Sequence, residues 1–192
     1  MYFIRLTSAV LLVLLSVPVL AADPVEGEKK ASSCQSCHGA DGNSPFAEIP
    51  SLAAQPSIYV GMQIFLYREK QRNLPDMVAA VAHLTDWDID DIAAYFARQK
   101  TAPPPADLDP KRMARGQALA GQHHCGSCHL PDFAGQNQMP RLASQREDYL
   151  VKAMRDYKSG ERTGFDGMMT GILYPVADQD ILDMAYFLAR TR

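Results

Sequence analysis

The pattern Cys-x-x-Cys-His occurs twice, as CQSCH at Cys34–His38 and as CGSCH at Cys125–His129, and these two runs hold all four cysteines of the 192-residue chain. No other feature limits the fold so tightly. The spacing puts two sulfurs and the following imidazole on one side of a single turn. That is the arrangement for covalent attachment of a c-type haem, with the histidine as proximal iron ligand. A thioredoxin-like dithiol wants one such pair in a βαβ setting. A structural zinc would draw its thiolates into one site. Two separate copies in repeated surroundings fit neither. The expectation is two haem c groups with their irons, bound by Cys34, Cys37, Cys125 and Cys128 and ligated by His38 and His129.

The surroundings of the two motifs repeat as well. CQSCHGADGNS answers to CGSCHLPDFAG, and Pro50-Ser51-Leu52-Ala53-Ala54-Gln55 to Pro140-Arg141-Leu142-Ala143-Ser144-Gln145. Tyr59 matches Tyr149 and Arg72 matches Arg162, at an offset of 90. From Trp87–Ala93 against Gln179–Ala185 the offset is 92, which places a two-residue insertion near Gly164–Gly167. Residues 101–110 carry Pro103, Pro104, Pro105 and Pro110, a run that cannot continue a helix and favours an extended, stiff connector. The expected organisation is therefore a leader at 1–22, one domain at 23–100, the connector at 101–110 and a second domain at 111–192. Each domain is small enough that its own apolar core would be marginal, and a buried haem would supply the missing apolar bulk.

Apolar periodicity reads as helix throughout, so the expected fold class is all-α, with two tandem cytochrome c-like helical domains. Helices are expected over Val25–Cys37 and Lys111–Cys128, leading into the motifs, and over Ser57–Lys70 and Arg146–Lys158. A last helix in each domain opens with acids, Asp86, Asp88, Asp90 and Asp91, then Asp178, Asp180 and Asp183. Thr85 or Asp86, and Asp178, are the expected N-caps, and the acids suit the helix macrodipole.

Each iron needs a second axial ligand. Methionine is the usual partner of histidine in electron-carrying cytochromes c. Met77 and Met169 follow His38 and His129 by 39 and 40 residues, and each stands 11 residues before an equivalent acid, Asp88 or Asp180. Met168 adjoins Met169 and competes with it, and Met139, just before Pro140, is a weaker rival. Met62, Met154 and Met184 fall on helical core positions. His83 has no counterpart in the second repeat, and His123 and His124 lie too close to Cys125 to reach the opposite haem face. Pro50 and Pro140 recur soon after the histidines, placed for a backbone carbonyl to accept from the imidazole Nδ1–H. Arg72 and Arg162 are candidate partners for haem propionates, since a guanidinium matches a carboxylate well.

Arg5 precedes a nearly unbroken apolar run, Leu6–Leu20, with small residues after it. This has the form of a secretory signal peptide and is short for a membrane span, though retention as an anchor is the alternative. Residues 23–100 carry 7 basic and 11 acidic residues, and residues 101–192 carry 11 of each. Nothing here forms a basic nucleic-acid surface.

The runs CHGADGNS at Cys37–Ser44, P-x-L-A-x-Q at Pro50 and Pro140, GER at Gly160–Arg162 and D-I-x-x-x-x-A-Y-F, which includes Ile89–Phe96, resemble the dihaem cytochrome c4 family across essentially the whole mature chain. The resemblance implies two class-I cytochrome domains about a pseudo-twofold axis, with haem propionate edges facing each other. It implies ligation of one iron by His38 and Met77 and of the other by His129 and Met169. It also implies respiratory electron transfer in the periplasm from a quinol-oxidising cytochrome bc complex to a terminal haem-copper oxidase, with peripheral membrane association compatible. Three positions depart from the family pattern: Leu130 stands where the first repeat has Gly39, and Ala54 and Ser144 stand where the family often has glycine. Enzymatic readings, a thiosulfate dehydrogenase or a peroxidase, want a thiolate ligand or an open iron, and all four cysteines are committed. A role as dihaem electron-transfer subunit of a larger dehydrogenase, such as a flavocytochrome, is the alternative to a free carrier.

Overall fold

The computed structural model describes residues 21–162 and 167–192. The expected export segment up to residue 20, and most of the insertion near 164–167, lie outside them. Over the described residues the chain is helical, and the isolated bridge Gln136–Met139 is its only β-pairing. The first repeat forms α1 (Pro24–Lys30), α2 (Ser32–His38), α3 (Ser57–Arg68), α4 (Pro75–Val81) and α5 (Asp86–Ala97). The second forms α6 (Pro110–Gln122), α7 (Gly126–His129), α8 (Glu147–Ser159), α9 (Gly167–Leu173) and α10 (Asp178–Arg190) in the same order. Among the described residues no helix is long and apolar enough to cross a membrane.

Local chemistry sets the helix ends. Asp23 and Asp109 are N-caps, each accepting from the next two N–H groups that the helix leaves unpaired, and each is followed by a proline that needs no such partner. Pro110 thus opens α6 rather than closing the connector. The two helices expected to run straight into the haem motifs are both broken, at Ala31 in the first repeat and at His123–Cys125 in the second, where His124 takes φ 54°. The breaks turn α2 and α7 out of line with α1 and α6. Thr85 caps α5 in a full capping box with Asp88. Asp178 is not a cap: it is the first residue of α10 and pairs with Lys158 at 2.8 Å, while Ala177 holds the cap position without a side-chain bond.

In each domain the first helix crosses the last. Gly27 of α1 and Gly116 of α6 make these crossings: a Cβ would lie 2.0 Å from Asp91 O and 2.1 Å from Asp183 O. The acids expected to serve the helix dipole have a second use here. Asp91 accepts from the Asp23 N–H and from Lys30 Nζ, both at 2.6 Å. Asp183, 2% exposed, takes Arg112 at 3.2 Å and Arg115 at 3.0 Å. Each domain then closes its own core, around Val60, Ile64, Ile92 and Phe96 in the first and Leu150, Met154, Ile181 and Met184 in the second.

The two domains meet through a reciprocal clasp. The Gln55 carboxamide accepts from the Arg141 N–H and donates to the Arg141 carbonyl, both at 2.9 Å. The Gln145 carboxamide does the same with Ser51, both at 2.8 Å. Residues 55 and 145, and 51 and 141, are repeat equivalents, so the contact is isologous within one chain. Arg146 adds a bond to Ser44 O at 3.0 Å. The connector is tied at both ends, by Asn43 to Lys100 and Ala102, and by Tyr186 and Arg190 to Asp107.

Candidate functional site

The histidines of the two motifs end α2 and α7, and both are buried. His38 Nδ1 lies 2.8 Å from Pro50 O, and His129 Nδ1 lies 2.8 Å from Pro140 O. A carbonyl can only accept, so Nδ1 carries the proton and Nε2 keeps its lone pair. Burial pushes the His38 pKa down, against the Pro50 carbonyl, so the ring stays in the neutral, ligating form. The prolines are held by a shared loop scaffold: Leu52 and Ala53 donate to Gly42 O, and Leu142 and Ala143 to Phe133 O. After each histidine the backbone turns through a positive φ, 87° at Gly39 and 69° at Leu130. In the first repeat only glycine fits, since a Cβ would lie 2.2 Å from Asn43 O. In the second, Leu130 adopts φ 69° and ψ 156°, a region almost reserved for glycine.

Both histidines open on a cavity of about 650 Å³ that draws its lining from both domains. Met77 on α4 and Met169 on α9 line it too, each half-buried against its own core. Met168 and Met139 also border the cavity, but Met168 is 61% exposed. His83 is exposed and is not among the lining residues. His123 and His124 border the cavity beside Cys125. Cys37, Cys125 and Cys128 line it, and Cys34 packs against the core behind it. All four thiols are unpaired, and burial pushes those of Cys34 and Cys125 up. A redox-active dithiol needs a depressed thiol pKa, so that use is disfavoured here.

Between the two histidines the cavity meets the domain boundary. Arg162 donates to its own domain's Tyr149 hydroxyl at 3.3 Å and across to the Tyr59 hydroxyl at 3.1 Å and Gln63 Oε1 at 3.5 Å. Arg72 also donates to Gln63 Oε1. Arg72 stacks on Tyr67 at 4.4 Å and Arg162 on its equivalent, Tyr157, at 4.5 Å. Burial drives the Tyr59 pKa up. At Tyr149 burial acts the same way, but the charges of Arg162 and Arg72 outweigh it and leave the pKa below its ordinary value.

The donor set fits a pair of haems. Each half offers a buried imidazole held through Nδ1 by a proline carbonyl, two thiols beside it, a thioether on the same cavity, and an arginine that could meet a carboxylate. Sequence reasoning gave no role to Gln55, Gln145, Gln63, Tyr59 or Tyr149. The first two did carry a signal, since the glutamine recurs in both P-x-L-A-x-Q runs. Gln63 had none, because its equivalent is Ala153.

The cytochrome c family model matches residues 25–100 and again 113–192. The chain is 35% identical to cytochrome c4 of Pseudomonas aeruginosa over 179 residues, covering 88% of each. It is 29% identical to a thiosulfate dehydrogenase electron acceptor of Thiomonas intermedia, covering 88% of this chain and 81% of that protein. Its fold is similar to the crystal structure of reduced recombinant cytochrome c4 from Pseudomonas stutzeri, with a TM-score of 0.82 at 29% identity over 90% of this chain and all of that one.

Proposed function

Because the chain belongs to the cytochrome c family, as a dihaem electron carrier of the cytochrome c4 kind rather than an enzyme, we propose that it works in the periplasm, exported by residues 1–22, and passes electrons from a quinol-oxidising cytochrome bc complex to a terminal haem-copper oxidase. The observation that carries this reading is the matched pair of histidine and methionine on one cavity in each half. His38 with Met77, and His129 with Met169, would ligate one iron each. Cys34 and Cys37, and Cys125 and Cys128, would hold the two groups covalently. When bound, the haems supply reversible one-electron chemistry.

The residues of the chain supply everything else. The carbonyls of Pro50 and Pro140 fix each imidazole and raise its basicity as a ligand. The apolar walls, Val60, Ile64 and Leu52 on one side and Leu150, Leu142 and Leu173 on the other, would keep water from the bound groups. The charge difference between the domains gives each a different electrostatic face, so that donor and acceptor dock at opposite ends.

The test is spectroscopic first. Purified protein should show two low-spin haems per chain and the weak far-red absorption of a methionine–ferric iron bond. Met77→Ala and Met169→Ala should each remove half of that band and open one iron to cyanide. A high-spin signal in the unmutated protein sinks the carrier reading. Electron transfer from an isolated bc complex should slow with added salt. The thiosulfate dehydrogenase electron acceptors among the relatives support a second reading, in which the donor is a dehydrogenase. Fast reduction by such an enzyme, with none by the bc complex, would decide for it.

A further inference from the structure

Two guanidinium groups meet at the boundary between the domains with no carboxylate to hold them. Arg162 is 9% exposed. It and Arg72 donate to the same atom, Gln63 Oε1. Among the described residues neither takes part in an ion pair. Their other partners are tyrosine hydroxyls and tyrosine rings. A buried cation without a counter-ion is costly, and two that converge repel each other as well. Such a cluster calls for anions from the cavity, which Arg72, Arg162, Gln63, Tyr59 and Tyr149 all line.

The cluster also breaks the twofold symmetry seen elsewhere, and the sequence says why. Gln63 is answered by Ala153 in the second repeat, so only the first domain offers a carboxamide at this place. Arg162 therefore reaches across to Tyr59 and Gln63, while Arg72 stays with Gln63 of its own domain. We infer that Gln63, Arg72 and Arg162, with the Tyr59 and Tyr149 hydroxyls, form one anion cradle shared by the propionates of both haems, and that Gln63 is the positioning residue that seats the Arg162 charge between them. This rests on the two-haem reading above. A cation that bonds to both domains, beside two redox centres, favours the added electron at each of them. Arg162, although it belongs to the second domain, thus sets the potential of both haems.

The experiment is an NMR-monitored redox titration of the full holoprotein, with each haem followed separately and haem content measured on the same sample. Arg162→Gln should weaken reduction of both haems by about tenfold each, a fall of about 59 mV for a one-electron couple. Arg162→Lys, which keeps the charge, should restore most of the fall at both. A shift confined to the second domain's haem, no shift at either, or a lysine variant as low as the glutamine one overturns the proposal. Should Arg162→Gln not yield two-haem protein, Gln63→Ala carries the test. It keeps both charges but unseats them, so a smaller fall at both haems supports the cradle and unchanged potentials overturn it. Fewer than two haems per chain in the unmutated protein would instead mark a failure of the reading beneath it.

Discussion

Leu130 is the residue at which the two repeats disagree most in chemistry while agreeing in shape. It holds φ 69° and ψ 156°, and its equivalent Gly39 holds φ 87° and ψ 151°. Such a conformation costs a side-chain-bearing residue about 1–3 kcal/mol. Leu130→Gly should therefore stabilise the second domain by about 1 kcal/mol, after the unfolded chain's gain in freedom is set against it. Denaturant unfolding of the holoprotein would measure it; a destabilised variant would mean that Leu130's packing outweighs its strain. Gly39→Ala should go the other way by more than about 2 kcal/mol, because its Cβ meets a backbone oxygen at 2.2 Å. The contacts of His38 with Pro50 and of His129 with Pro140 were legible because fixed spacing carries them. Gln63 and the tyrosine hydroxyls were not, since a polar residue's role at a boundary depends on what the other domain brings to it.

At the level of helices, the crossings at Gly27 and Gly116 decide how close the first and last helices of each domain approach. Gly27→Ala should cost more than about 2 kcal/mol, because two packed backbones must move apart to admit one methyl. The ion pairs beside that crossing give it a pH dependence. Lys30 lowers the pKa of Asp88, with help from Thr85, and that of Asp91. A carboxylate depressed in the folded state contributes stability above its unfolded pKa, and the contribution is lost as pH falls through the folded value. Lys30→Gln should therefore lower the thermal midpoint at neutral pH, and the difference from the unmutated protein should shrink on acidification below about pH 4. A difference that stays constant into acid would separate the lysine's role from its charge. Periodicity revealed that helices would form, yet it ran α1 into α2 and α6 into α7. The breaks follow from the need to face a histidine into the cavity, which is a tertiary demand that a local pattern does not record. Asp178 was mistaken for a cap because a cap and a first-turn acid look alike until the position of Lys158 is known.

Across the whole molecule, the clasp of Gln55 and Gln145 is the main polar joint between halves. Each carboxamide satisfies one N–H and one carbonyl of the opposite domain's backbone. Leaving such buried groups unmade costs about 1–3 kcal/mol each. Gln145→Ala should loosen the joint and split thermal unfolding into two transitions, one per domain, in calorimetry; a single transition at an unchanged midpoint would show the boundary held by other contacts. The repeat made two domains and their equivalence readable, and the doubling of the glutamine was in plain view. Its meaning was hidden because a twofold axis brings together residues that are 86 and 94 positions apart.

That axis has a last consequence. Each half carries both sides of the joint, the carboxamide and the backbone groups that receive it, so two identical halves on separate chains would close the same contact. Such an assembly would fall apart on dilution. The proline-rich connector replaces concentration with covalent tethering, and two one-electron centres stay paired however scarce the protein becomes.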